Sequence, residues 1–255
     1  MKVTFLGTGT SQGVPVIACK CEVCKSIDYR DKRLRSSVII QVEDLSIVVD
    51  TGPDFRQQML RERVDRVDAV LFTHAHKDHT AGMDDIRSFN FLQKEEIPIY
   101  GQAETLDQIK DEFAYVFSAS KYPGIPQIGL NVIENKPFNV QNLKVMPIEV
   151  MHHKMIVFGF RIGDFTYITD ANHIHVREKE KIKGSKILVL NALQRTHHIS
   201  HFTLDEAIEL IQELNPEKAY LTHISHKLGL HAEVSRELPE NIHLAHDGLI
   251  LKIDN

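Results

Sequence analysis

The stretch LFTHAHKDHTAGMDD, residues 71–85, places four metal-ligating side chains within six positions: His74, His76, Asp78 and His79. It continues AVLFTH (69–74), an apolar run that reads as a strand ending at the histidines. In an extended segment His74 and His76 point the same way, because side chains alternate faces with a period of two. Asp78 and His79 follow where the chain turns toward a helix. Two pairs of ligands therefore converge, and each pair could hold its own ion. Neutral imidazole and carboxylate suit zinc, with manganese and iron also compatible. A polar turn with chance neighbours accounts well for one histidine and poorly for four ligand types in six residues.

The remainder of the 255 residues is ordinary for a globular chain, with 42% hydrophobic and 25% charged residues. A net charge of −5 argues against nucleic acid or an acidic membrane surface as partner, since both need a strong positive field. The N-terminus, MKVTFLGTGTSQG, has too short an apolar run for a signal peptide. No stretch approaches the ~18 apolar residues of a membrane span. A cytoplasmic location is expected. Three cysteines, an odd number, agree with a reducing compartment and no disulfide framework.

Short runs rich in Val, Ile, Leu and aromatics predict strands in KVTFLG, SVIIQV, LSIVVD, AVLFTH, IPIYG, LKVMPIEV, VFGFRIG, FTYITD, KILVLN, KAYLTH and LILKI. Helices are predicted over 54–63, 84–93, 103–117 and 203–214. The last is the clearest: Leu204, Ala207, Ile208, Ile211 and Leu214 recur at helical spacing, Thr203 and Glu206 form a capping box, and Asn215-Pro216 ends it. Many strands with interspersed helices predict an α/β sandwich, two mixed sheets flanked by helices, in one domain spanning 1–255. Residues 118–131 read as an irregular loop that could cover a site.

All three cysteines lie in CKCEVC: Cys19, Cys21 and Cys24. This spacing in a reduced chain points to zinc, and a closed structural site needs four ligands, so the fourth must come from elsewhere. Three merely reduced thiols are the alternative.

HAHKDH matches the HxHxDH motif, and on it the chain resembles the metallo-β-lactamase superfamily, whose fold is an αβ/βα sandwich with a two-metal site along one edge. The resemblance spans the whole chain and implies further ligands in EVMHHKMIVFGF, YITDAN and AYLTHISH. His74, His76 and His152 would hold one ion; Asp78, His79 and His223 the other; Asp170 would bridge them. His152 is preferred to His153 because adjacent strand residues face opposite ways and the family places its ligand at that distance from Lys154 and Gly159. Asp50 matches an aspartate that orients a ligand histidine.

Within the superfamily the chain is similar to the PhnP-type phosphodiesterases, which combine the two-metal site with a C-x-C-x-x-C cluster after an N-terminal GTG turn. That resemblance implies a structural zinc held by Cys19, Cys21, Cys24 and His226. It also implies that His201, 22 residues before His223, is the general acid–base. Asp247 and Gly248 match a segment read as turn and support. His197 and His198 receive no role.

The expected function is a phosphodiesterase dependent on two divalent ions, Zn or Mn. It would convert a small phosphodiester, a cyclic one being compatible, to a phosphomonoester by attack of a metal-bridged hydroxide, with His201 protonating the leaving oxygen and Asp78 and Asp170 in the catalytic centre. Arg56, Arg87 and Lys154 could touch phosphate, although each also reads as surface charge. Alternatives on the same scaffold are an RNA-processing nuclease, a thioester or lactam hydrolase, a di-iron redox protein and a non-catalytic metal binder. A homodimer is a family habit.

Overall fold

The computed structural model describes residues 1–118 and 123–253. Its strands, in chain order, are β1 (Lys2–Gly7), β2 (Ser37–Val42), β3 (Leu45–Val49), β4 (Ala69–Leu71), β5 (Ile97–Gly101), β6 (Ile128–Val132), β7 (Phe138–Val140), β8 (Leu143–His152), β9 (Met155–Ile162), β10 (Phe165–Tyr167), β11 (Ile187–Asn191), β12 (Lys218–Thr222), β13 (Ile242–Leu244) and β14 (Ile250–Lys252). They form two seven-stranded sheets, ordered β14-β1-β2-β3-β4-β5-β6 and β13-β12-β11-β10-β9-β8-β7. Pairing is antiparallel from β14 to β3 and parallel from β3 to β6. It is likewise antiparallel from β7 to β10 and parallel from β10 to β13. The same succession of pairings occurs twice, although the sequence carries no short repeat.

The period-two alternation of each strand explains the layers. Phe5, Val38, Ile40, Ile47 and Val49 face the gap between the sheets, where they meet Phe158, Phe160, Tyr167 and Val189 of the other sheet. Leu6, Ile39, Val48 and Val70 point outward and pack under Phe55, Met59, Phe89 and Leu106 of helices Phe55–Glu62, Arg87–Gln93 and Ala103–Glu112. On the second sheet, Ile148, Leu188, Leu190 and Leu221 pack under Ala207, Ile211, Leu214 and Val234. These belong to helices Leu204–Leu214 and His231–Glu237. Parallel pairs require such crossovers, and the result is the expected αβ/βα sandwich with two mixed sheets.

Helix Leu204–Leu214 shows why the local reading succeeds. Thr203 Oγ1 accepts from the Glu206 N–H, Glu206 accepts from the Thr203 N–H, and Asn215 closes the helix in the left-handed region. The cap contributes about 1 kcal/mol. Burial of its apolar face contributes more, about 1.5–3 kcal/mol per large side chain, so Ile211→Ala is the change that would loosen it most.

Other readings shift. AVLFTH leaves the sheet at Leu71, earlier than its apolar content suggests. The Thr73 N–H turns to the Asp50 carboxylate, and Thr73 O accepts from the Phe158 N–H of the other sheet. The helix expected over 103–117 breaks at Phe113 (φ −112°, ψ 39°). Helices Val176–Ile182 and His231–Glu237 and strands β6, β7 and β13 escape the sequence reading; VREKEKI, for example, has no apolar stripe. Within the loop expected over 118–131, residues 119–122 lie outside the described residues and Ile128–Val132 pairs as β6. Among the described residues no helix is long and apolar enough to cross a membrane.

Candidate metal centre

The ligand types gather where strands end. Asp50 follows β3, His74–His79 follow β4, Asp170 lies just past β10, His223 follows β12, and His152 closes β8. Crevices at the carboxyl ends of parallel strands are the natural ligand sites of such sheets. Three of these residues take positive φ: Asp50 (65°), Asp170 (55°) and His223 (54°). The left-handed region costs a non-glycine residue roughly 1–2 kcal/mol, and strain of this kind concentrates at functional sites.

Two ligand groups form. His74, His76 and His152 place a nitrogen each within 4.8 Å of one another, and Asp78, His79, Asp170 and His223 do the same with four donor atoms. His74 Nε2 and His76 Nδ1 are 3.0 Å apart. His79 Nε2 stands 3.1 Å from Asp78 Oδ2 and 3.2 Å from Asp170 Oδ2, the oxygen that also lies 3.2 Å from His223 Nδ1.

These residues fit divalent ions. His79 Nε2 is buried without a hydrogen-bond partner, despite two carboxylate oxygens so near. Donor atoms aimed at a common point, rather than at each other, have this geometry. Burial disfavours charge on His79, yet Asp78, Asp170 and Asp50 outweigh it and hold the imidazole pKa well above its usual value. Two carboxylates, Asp78 and Asp170, beside one buried nitrogen, with Asp50 behind the ring, are the environment a cation neutralises.

Behind the ligands lies a second layer. Asp50, fully buried, accepts from His79 Nδ1 at 2.7 Å and from Thr73 Oγ1 at 2.9 Å on one oxygen, and from the Thr73 N–H at 2.9 Å on the other. Thr73 Oγ1 is also 2.9 Å from His74 Nδ1, so a single carboxylate orients a ligand in each group. His152 Nδ1 donates to Ser200 O at 2.9 Å. Sequence reasoning found Asp50 but missed Thr73, which reads as an ordinary strand threonine, and Ser200, which acts through its carbonyl and leaves no side-chain signal. Gly52 is required for another reason: a Cβ there would lie 2.2 Å from Asp78 O.

His201 joins this centre. Its ring stacks on His223 with centroids 4.8 Å apart and planes 19° apart. Its Nδ1 is buried without a hydrogen-bond partner, 3.8 Å from Asp170 Oδ1. Burial, reinforced by His223, pushes its pKa down to about 3, so the ring is neutral in the free site. His153 occupies the exposed turn after β8 at φ 55°, away from the centre. His197 is exposed, while His198 packs its ring 5.1 Å from His201. Arg56 is exposed and Arg87 pairs with Asp84 at 3.2 Å. Lys154 lines a cavity of about 320 Å³ beside His74, together with Gln102 and Gln108.

The cysteines gather separately. Cys19, Cys21, Cys24 and His226 bring four donor atoms within 4.8 Å, with Cys19 Sγ and Cys21 Sγ each 3.3 Å from His226 Nδ1. The Cys24 N–H, followed by His226, pulls the Cys21 thiol down to about 6, whereas burial pushes Cys24 up to about 11. Three sulfurs and one imidazole match a closed zinc site. Backbone bonds stitch this loop to the main centre: the Thr10 N–H donates to Ile224 O and the Ile224 N–H to Thr8 O, with Ile224 between His223 and His226. Asp247 anchors the same loop by accepting from the Thr8 N–H, Thr8 Oγ1 and the Leu34 N–H.

Known proteins resemble this chain in sequence and fold. A family described as "Beta-lactamase superfamily domain" matches residues 46–224. The chain is 40% identical, along its whole length, to a Porphyromonas gingivalis protein named octanoyltransferase, of which it spans 52%; it thus covers about half of that relative. A crystal structure of a diphosphatase from the PhnP family superposes with a TM-score of 0.93 at 37% identity, covering 99% of this chain and 98% of that one. Zn²⁺-bound PqqB from Methylobacterium extorquens shares the fold, with a TM-score of 0.77 at 18% identity over 99% of this chain and all of PqqB. With these matches the chain belongs to the β-lactamase superfamily and has its two-sheet sandwich fold.

Proposed function

We propose that the chain is a metal-dependent phosphodiesterase that cleaves small phosphodiesters, cyclic ones included, to phosphomonoesters. The observation that carries this reading is the position of His201: its ring lies beside Asp170, a carboxylate that clusters with Asp78, His79 and His223 and also with His152 and His201. Likeness to a PhnP-family diphosphatase along nearly the whole chain supports it. On this reading residues 1–255 form one hydrolase domain.

In the roles proposed here, His74, His76 and His152 would hold one ion and Asp78, His79 and His223 the other, with Asp170 a ligand available to this centre. When bound, such ions supply Lewis acidity toward a phosphoryl oxygen and lower the pKa of water. Asp50, Thr73 and the Ser200 carbonyl fix the tautomers of His79, His74 and His152, so that each presents a lone pair to the centre. His201, neutral in the free site, gains proton affinity beside an anionic phosphoryl group. Proton donation to the leaving oxygen is thereby tied to substrate binding. Lys154, at the rim of the adjoining cavity, can meet a substrate anion.

A second reading follows from the PhnP-family relative, which is described as a diphosphatase. A diphosphate has phosphate as leaving group and depends less on a proton from His201. The octanoyltransferase name belongs to a protein about twice as long, and acyl transfer serves as a control.

The test is a hydrolysis panel with metal-replete protein: bis(p-nitrophenyl) phosphate, ribose 1,2-cyclic phosphate, a 2′,3′-cyclic nucleotide, inorganic diphosphate, an octanoyl thioester and a cephalosporin. Diester hydrolysis is expected, and its loss in Asp170→Ala. Turnover of the thioester or lactam alone would refute the phosphoryl assignment.

A further inference from the structure

A second cavity, of about 490 Å³, shares no residue with either catalytic ligand group. It opens at the lateral end of the sandwich where β13 and β14 are the edge strands. Contact between Phe5 of β1 and Tyr220 of β12 (centroids 6.1 Å) brings the two sheets together there. Its floor is apolar, with Leu244 and Leu249.

Its walls are rings. Tyr29, Tyr220, His231, His243 and His246 all line it. Tyr29 meets His246 edge-on at 5.6 Å and 85°, and Tyr220 meets His243 at 5.3 Å and 38°. Neither pair is stacked face to face, Tyr220 is partly buried, and Tyr29 is 66% exposed. The cavity has basic side chains and no acid: Lys218 and Arg30 line it, and no Asp or Glu does, in a chain of net charge −5. Arg30 is held by Asp28 at 2.7 Å. Lys218 forms no ion pair among the described residues.

We propose that this cavity binds a planar heteroaromatic anion of the nucleoside monophosphate class, its ring against Tyr29 and Tyr220 and its anionic group at Lys218. Base–aromatic stacking tolerates any base because every base has a π face. A lysine ammonium is a natural point charge for phosphate. The volume lies within the range of small-molecule sites. The proposal does not rest on the hydrolase reading and needs no turnover.

The test is calorimetric titration of the metal-loaded full chain with adenosine 5′-monophosphate, with adenosine and inorganic phosphate as partial probes. Lys218→Glu and Tyr29→Ala, both at exposed positions, should each weaken binding of the nucleotide at least tenfold while leaving metal content and thermal midpoint unchanged. Asp170→Asn, in the metal centre, should leave that binding intact. Unchanged affinity in both cavity variants would overturn the proposal. So would binding of adenosine or phosphate as tight as that of the nucleotide, or loss of nucleotide binding in Asp170→Asn with the fold retained. If Asp170→Asn does not fold, the two cavity variants decide the matter alone.

Discussion

Asp50 Oδ2 takes a hydrogen bond from His79 Nδ1 at 2.7 Å, and both side chains are fully buried. The carboxylate stands outside the ligand set yet fixes which nitrogen of His79 faces Asp78 and Asp170. Asp50→Asn keeps the size but replaces one of the two acceptor oxygens that serve His79 and Thr73 with an NH2 donor. The expected outcome is a 10–100-fold loss of metal affinity in the second ligand group, measured by competition with a chromogenic chelator. Unchanged affinity would remove Asp50 from the site.

Gly52 admits no side chain, because its Cβ position lies 2.2 Å from Asp78 O. Gly52→Ala must push the Asp78–His79 turn away. A cost of about 1–3 kcal/mol in unfolding free energy is expected from overpacking, with a drop in metal content at the catalytic centre. Urea denaturation together with metal analysis measures both. A stable, fully loaded Gly52→Ala protein would show that the turn can yield.

The cysteine group and the catalytic groups hold separate ions in our reading. Cys21→Ser should lower bound metal by one equivalent per chain in elemental analysis and lower the thermal midpoint. A thiol titration of native parent protein should find the three cysteines protected until a chelator is added. Rapid reaction of all three thiols in the native, metal-replete protein would contradict a metal there.

His201→Ala should cost about 10²–10⁴ in kcat on a diester with an alkoxide leaving group. The loss should be far smaller on bis(p-nitrophenyl) phosphate, whose phenolate departs without a proton. An equal loss on both substrates would assign His201 to substrate or metal binding instead.

His231 carries a pH dependence unrelated to catalysis. Its Nδ1 accepts from Arg33 at 3.1 Å, and burial, reinforced by Arg33, pushes its pKa down to about 4. The unfolded chain takes up this proton near the ordinary imidazole value of ~6.5, before the folded chain does. Stability from this group is therefore present above about 6.5 and lost as pH falls toward 4. Against His231→Gln, the parent's advantage in urea midpoint should shrink over that window. A pH-independent difference would mean that the Arg33 contact does not govern its protonation.

The catalytic motif was legible because covalent spacing did the work. Six residues after an apolar strand confine His74, His76, Asp78 and His79 to one turn, whatever the rest of the chain does. The helix over 204–214 was legible for the same reason, its cap and apolar stripe being local. The partners Thr73 and Ser200 were not, since one resembles any strand threonine and the other contributes a backbone oxygen. The surface-like runs that became β13 and helix Val176–Ile182 acquire their structure from neighbours.

By itself, then, the sequence determined the ligand chemistry, the reduced cysteine cluster and the alternation of strands and helices, all properties of short segments. Only tertiary structure decided that Asp170 meets Asp78, His79 and His223 as well as His152 and His201, that His226 meets cysteines two hundred residues away, and that His201 is buried. It also decided that rings from five separated positions enclose the cavity at the sandwich edge. The physical reason is range: periodicity and spacing report on neighbours along the chain, whereas shared ions, desolvation and cavities depend on which strand ends two packed sheets bring together.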